Sequence, residues 1–259
     1  MDFKTILMET PADHIGRIVL NRPEQMNTFN TEMAEELHRA LMFFEEDAGI
    51  RTVIIKGEGR AFSAGIDVNE LAGKSTLEYR MWIEHMERPL VDISKMKTPV
   101  IAQVQGVAVA NGMGLAASAD IVIAAENVKM GLTAINVGLN CVGPVIPVAR
   151  SVGRKKALEL LLYGRLINSS EALSMGLVNK VVQKDDLEEE TMIWAKELAA
   201  KSPLAVQIAK SAFYVSEDMP YSARFDYMNE VFARLCSTDD AREGVAAFFG
   251  KRSPCWKEK

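Results

Sequence analysis

Cysteine is scarce: Cys141, Cys236 and Cys255 are the only three in 259 residues. An odd number at wide spacings excludes a disulfide framework and a C-x-x-C metal signature, and a reducing compartment follows. Histidine is equally rare. His14, His38 and His85 lack metal-ligand spacing, so no metal site is expected, and no G-x-S-x-G elbow supports a serine hydrolase. A basic excess is missing as well. Thirty Lys and Arg against 35 Asp and Glu give a formal charge of −5, which argues against a nucleic-acid partner. The start, Met1-Asp2-Phe3-Lys4-Thr5, has neither the basic nor the apolar region of a secretory signal, so a cytoplasmic location is expected. The mostly apolar stretch 104–125 contains Gln105, Asn111, Ser118 and Asp120. An unpaired Asp is costly in a bilayer, so this reads as a buried soluble segment, with no membrane partner.

What is present is ordinary globular material, 48% hydrophobic and 25% charged, long enough for a full core. Strand-like and helix-like patterns alternate. Residues 15–20 read as a strand ending in the turn Asn21-Arg22-Pro23. Asn30 or Thr31 then caps a helix whose apolar stripe is Met33, Leu37, Ala40, Leu41 and Phe44. Residues 52–56, 100–104 and 121–124 read as strands, and 155–163 and 189–201 as helices. This alternation predicts an α/β fold with mostly parallel pairing. From Pro203 onward the patterns at 204–214, 221–236 and 238–249 are helical. The expected division is therefore an α/β core at 1–202 and a helical region at 203–259. Thr238, ahead of Asp239 and Asp240, reads as an N-cap with acids in the first turn.

Two clusters of small residues follow strands. In the first, Arg60-Ala61-Phe62-Ser63-Ala64-Gly65-Ile66-Asp67, a turn lets backbone N–H groups approach a ligand, although an ordinary tight turn has the same composition. The second, Gly106 to Ala116, opens a helix whose first N–H groups are free. Its Gly112-x-Gly114-x-x-Ala117 mimics a dinucleotide fingerprint, but the first acid beyond the next strand is Glu126, too early for that role.

In order and spacing, Leu20-Asn21-Arg22-Pro23, Phe62 to Asp67, Pro99-Val100-Ile101-Ala102, Ala119-Asp120-Ile121, Gly153-Arg154, Gly176-Leu177-Val178 and Thr238 to Gly244 resemble the crotonase, or enoyl-CoA hydratase/isomerase, superfamily. The resemblance implies a crotonase-like spiral of β-β-α turns and a C-terminal helical trimerisation region, with a homotrimer or a hexamer of two trimers. It implies an acyl-CoA ligand whose thioester carbonyl becomes an enolate, held by the backbone N–H groups of Ile66 and Asn111. No separate cofactor is implied, because coenzyme A enters as part of the substrate. Gln25, Met26, Ser63, Ala64, Ile66, Asp67 and Val68 match positions along the bent CoA. Phe232, Phe248 and Lys251 match positions that approach it from the C-terminal region, often across a subunit boundary, with Lys251 facing a phosphate. Met113, Asn136, Leu139, Asn140 and Cys141 fall on the acyl side. Cys141 equally fits an ordinary buried cysteine.

The chain departs from that pattern where hydratases carry two glutamates: Gly114 and Ala134 stand there. Asn111 occupies a usual glycine, and tolerates an unusual backbone angle better than most residues. Glu24 stands where a basic residue is common. This combination resembles the subset typified by enoyl-CoA hydratase domain-containing protein three. One positioned acid or base is worth about 10²–10⁴ in rate, so losing both points to non-standard acid/base chemistry. The alternative is a non-catalytic acyl-CoA-binding or regulatory protein.

Overall fold

The structure, a computed structural model, describes residues 3–258. Met1 and Asp2 of the N-terminal stretch lie outside the described residues. The chain opens with the antiparallel pair β1 (Ile6–Ala12) and β2 (Ile15–Leu20), followed by α1 (Thr31–Glu46). Next come β3 (Thr52–Gly57), α2 (Thr76–Lys95), β4 (Val100–Val104), β5 (Val107–Val109) and α3 (Asn111–Ser118). Then follow β6 (Ile121–Ala125), β7 (Lys129–Gly131), α4 (Val145–Tyr163), β8 (Ile167–Asn168), α5 (Ser169–Ser174), β9 (Lys180–Val182) and α6 (Leu187–Ala199). The chain closes on α7 (Pro203–Ser216), α8 (Tyr221–Cys236) and α9 (Asp239–Phe249).

A six-stranded sheet has the order β1-β2-β3-β4-β6-β9, and all its pairs beyond β1–β2 are parallel. A smaller sheet has the order β5-β7-β8. Consecutive strands β4 and β5, and again β6 and β7, enter different sheets before a helix follows. Each such β-β-α unit advances the spiral by one strand in both sheets. Every residue of β4 is buried, as expected where helices cover both faces of a parallel sheet. Asn30 caps α1 by accepting from Met33 N–H, and Met33, Leu37, Ala40, Leu41 and Phe44 are buried.

The apolar stretch 104–125 is divided among β4, β5, α3 and β6. Among the described residues no helix is long and apolar enough to cross a membrane. Asp120 within it is fully engaged. Its carboxylate accepts from Val100 N–H at 2.7 Å, Lys210 Nζ at 2.7 Å and the Tyr214 hydroxyl at 3.0 Å, which fastens α7 to the core. Burial lowers the Lys210 pKa and raises that of Tyr214, each opposing the charge the group would carry.

Two elements exceed the sequence expectation. Helix α4 begins ten residues before the expected 155, although Gly153 (φ 77°, ψ 163°) breaks its regularity. Helix α2, twenty residues long, was not anticipated, because Pro89 and the mixed polarity around His85 obscure it. Its start nevertheless carries a capping box. Ser75 accepts from Glu78 N–H while Glu78 accepts from Ser75 N–H.

Candidate functional site

The two clusters of small residues meet. Ser63 pairs with Ala108: Ser63 N–H donates to Val107 O at 3.1 Å, and Val109 N–H donates to Ser63 O at 3.0 Å. Gly112 allows the first turn of α3 to rest on this crossing, since a Cβ there would lie 2.3 Å from Ser63 O. Gly65 has φ +96°, and its missing Cβ would stand 2.9 Å from Ala110 Cβ and 3.8 Å from the Asn111 nitrogen. Only glycine permits that approach.

Two backbone amides emerge from this junction. Phe29 N–H donates to Gly65 O, and Asp67 N–H donates to Phe29 O, both at 2.7 Å. In such a parallel bridge Phe29 engages the neighbours of Ile66, so the N–H of Ile66 itself faces the other way. Asn111 is the first residue of α3, and its N–H is among those with no acceptor inside the helix. Neither amide has an acceptor among the described residues. The partial positive charge at the N-terminus of α3 adds to the same corner. The unusual backbone angle anticipated for Asn111 belongs to its predecessor. Ala110 has φ 49° and ψ −119°, held because its N–H donates to Gly131 O at 2.9 Å and its carbonyl accepts from Gly114 N–H at 3.0 Å. A non-glycine residue there stores about 1–3 kcal/mol of strain. The Asn111 side chain is buried, and its Nδ2 has no partner among the described residues.

The residues matched to CoA fall into two groups. Met26, Ser63, Ala64, Ile66 and Asp67 are stitched together around one wall. Ala64 N–H donates to Met26 O at 2.9 Å, and Ser63 Oγ donates to Asn27 O at 2.8 Å. Met26 (φ 50°) and Asn27 (φ 54°) are both left-handed. Asn27 holds that turn by accepting from Arg22 N–H and donating to Glu58 O and Ala61 O. Asp67 is paired with Arg22 at 2.8 Å, whose hydrogen bond holds the carboxyl below its usual range despite burial. Gln25 and Glu24 are exposed on a 3-10 turn beside this wall, and Val68 is exposed at its end. Arg22 and Asn27 were not singled out as site residues from sequence, although both flank the turn already read there. Phe232, Phe248 and Lys251 form the second group. They are exposed on α8, on α9 and just beyond it, and those helices pack on α7 and on each other.

On the acyl side, Met113 is fully buried in the core. Asn136 Nδ2 donates to Gly164 O, Asn140 Oδ1 accepts from Cys141 N–H, and Leu139 is exposed. The buried Cys141 thiol sits at the backbone N–H of Ala134; burial pushes its pKa up, partly offset by that hydrogen bond. Gly114 is walled in. A Cβ there would lie 2.8 Å from Pro144 Cβ and 3.0 Å from Leu90 Cδ2. Among the described residues no cluster of His, Cys, Asp or Glu fits a metal ion.

Comparison with known proteins places the chain among enoyl-CoA hydratase/isomerase relatives over nearly its whole length. The profile of the enoyl-CoA hydratase/isomerase family matches residues 11–259. Enoyl-CoA hydratase domain-containing protein 3, mitochondrial, from Xenopus laevis is 34% identical over 243 residues, covering 93% of this chain and 83% of that protein. The crystal structure of an enoyl-CoA hydratase from Mycobacterium smegmatis superposes with a TM-score of 0.95 at 31% identity, covering 98% of this chain and 99% of that one. Human enoyl-CoA hydratase domain-containing protein 3 gives a TM-score of 0.91 at 32% identity, covering 98% of this chain and 100% of that one. The chain belongs to the enoyl-CoA hydratase/isomerase family of the crotonase superfamily.

Proposed function

We propose that this protein is an acyl-CoA enzyme that stabilises a thioester enolate at the amides of Ile66 and Asn111, with acid/base chemistry that departs from the two-glutamate pattern. The observation that carries this is the junction of Gly65 with Ala110, which brings two amides without internal acceptors to one corner. Fixed donors aimed at developing charge are worth roughly 3–4 kcal/mol each and need no reorganisation during the reaction. The wall of Met26, Ser63 and Ala64 carries the pantetheine, and the 134–141 segment faces the acyl group. Phe232, Phe248 and Lys251 reach the ligand of a neighbouring subunit in a trimer or a pair of trimers built by residues 203–259. A cytoplasmic location is part of this reading; the frog relative is named as mitochondrial.

Crotonyl-CoA incubated with the purified protein and followed by mass spectrometry tests the reaction, with calorimetric titration for binding. The variant Asn111→Pro removes one donor at a helix position where proline is tolerated. It is expected to keep CoA-ester binding within a few-fold and to lose about 10²–10³ in turnover. A folded variant with full turnover would remove Asn111 from the oxyanion site. A purely acyl-CoA-binding role is the second reading. The crowding at Gly114 favours it, because that position has no room for the usual carboxylate. Stable binding with no turnover across a CoA-ester panel would establish it.

A further inference from the structure

We propose that Glu87, on α2, is the proton-transferring residue of this site and takes the place of the side chains absent at Gly114 and Ala134. This rests on the acyl-CoA reading above.

The segment 141–144 touches both vacated positions. Cys141 brings its thiol to the backbone N–H of Ala134. Pro144 lies against Gly114, its Cα 3.0 Å from where a Cβ would be. Between them is Gly143, and the Glu87 carboxyl occupies the space its side chain would fill. A Cβ on Gly143 would stand 1.7 Å from Oε1 and 2.3 Å from Oε2. Leu90, one turn after Glu87 on the same face of α2, touches the Gly114 position as well, at 3.0 Å. Glu87, Gly143, Pro144, Leu90 and Gly114 thus form one continuous wall. Gly114 lies one helical turn, about 5 Å along the axis, from the Asn111 amide. Connectivity alone therefore puts a carboxyl beside the segment that spans both missing glutamates.

The second observation is the state of that carboxyl. Other buried or half-buried acids are saturated with donors. Glu36 accepts from Lys4 N–H, Thr5 N–H and Thr5 Oγ1, and Glu188 is bonded by Lys56 and Gln103 and paired with Arg17. Asp120 has the three donors described above. Glu87 is half-buried and, among the described residues, has no hydrogen-bond donor or counter-ion. The charged groups nearby are engaged elsewhere. In the cavity of about 1130 Å³ that Glu87 borders, Asp120 holds Lys210 and Tyr214, and Asp218 and Glu217 hold Arg150; Lys95 completes the charged lining. Across α1, His38 is paired with Asp92 at 2.6 Å, and Glu35 lies 4.0 Å from His85. Burial alone pushes the Glu87 carboxyl above the usual carboxylate range. A structural acid gains partners, whereas a proton carrier near neutral pH needs an unpaired carboxyl with a raised pKa.

The step is simple. The Glu87 carboxylate takes a proton from the saturated α-carbon beside the thioester carbonyl, or from the γ-carbon of an α,β-unsaturated ester. The C–H electron pair moves into the enolate, whose oxygen is held by the Ile66 and Asn111 amides. The carboxyl then returns a proton to the same or a conjugated carbon. No oxidant or co-reactant is needed, and in deuterated water the returned atom is deuterium.

Solvent deuterium exchange is therefore the test, with butyryl-CoA, crotonyl-CoA and 3-hexenoyl-CoA as probes. The wild type is expected to bind and exchange at least one of them. Glu87→Gln is expected to bind that ester within about twofold and to lose 10²–10⁴ in exchange rate. The wild-type rate should rise with pH through an apparent pKa above the usual carboxylate range, and Glu87→Gln should remove that rise. Gly143→Ala, which displaces the carboxyl without deleting it, should lower exchange at least tenfold and supports the case if Glu87→Gln fails to fold. Full exchange by folded Glu87→Gln overturns the role of Glu87 and leaves the acyl-CoA reading standing. Binding without exchange in the wild type also overturns it. Absence of wild-type binding to all three esters overturns the acyl-CoA reading itself.

Discussion

Every residue of β4 is buried, and α8 has no buried residue at all. The first is built from β-branched and small apolar residues apart from Gln103, whose side chain donates to Glu188 on α6. The second exposes Phe225 and Phe232, while neighbouring α9 exposes Phe248 and Phe249 and α7 exposes Phe213 and Val215. Large aromatic residues are left bare over three consecutive helices, the surface on which the proposed assembly rests. The C-terminal helices are joined to the core by polar links, among them Lys210 and Tyr214 on Asp120 and Arg150 on Glu217 and Asp218. One region of the chain turns its apolar side chains inward, and the other leaves its aromatic residues bare.

The sharpest way to break this contrast is at the attachment. Asp120→Ala strands Lys210 without its counter-charge and is expected to cost about 3–5 kcal/mol in unfolding free energy, measured by denaturant titration. Replacing Lys210 by Met together with Asp120→Ala should recover part of that loss. A cost below 1 kcal/mol for Asp120→Ala would show that α7 is held mainly by packing.

Next in size is Gly65→Ala, at the junction of the two loops. The added Cβ meets Ala110 at 2.9 Å in a backbone conformation that side chains rarely adopt. Acyl-CoA turnover should fall by roughly 10²–10³, the value of one misplaced oxyanion donor. Retained turnover would separate the Gly65–Ala110 contact from catalysis.

A smaller effect is expected from Asp67→Asn. The Arg22 bond depresses the Asp67 carboxyl, so its contribution is present above the unfolded pKa near 3.9 and is lost as pH falls through the lower folded value. The variant should lose roughly 1–2 kcal/mol at pH 7, and the difference should shrink in acid below about pH 4. A difference independent of pH would assign the loss to packing. Smallest in the isolated subunit is Phe232→Ser with Phe248→Ser. Exposed positions of this kind change subunit stability by about 0.5 kcal/mol or less. Light scattering should nevertheless show the assembly weakened, and an unchanged mass would leave those aromatics without a partner.

Much of the scaffold was legible because its signals are local. Strand 15–20 and helix 221–236 follow from their periodicity and turn residues, and Thr238 caps α9 as its hydroxyl chemistry demands. The stripe Met33, Leu37, Ala40, Leu41 and Phe44 marks the buried face of α1 for the same reason. What stayed hidden depends on approach through space. Nothing in the string around Ala110 announces a left-handed alanine, because the distortion is held between Gly131 on β7 and Gly114 within α3. Glu87 is hidden in the sequence because Pro89 and mixed polarity mask α2 and because Gly143, its contact, lies 56 positions away. The capping box at Ser75, followed by Tyr79, Trp82, Ile83, Met86, Leu90 and Ile93 at helical spacing, was the signal available.

The enclosure of Gly114 limits what engineering can place there. A longer side chain at 114 would run into Pro144 and Leu90, so it would disturb that wall if introduced as a single substitution. Trimming Pro144 or Leu90 first makes room, but it opens a void in a packed wall and costs stability before any new group arrives. The order of such changes therefore matters as much as their identity, because neighbours in one wall do not respond independently.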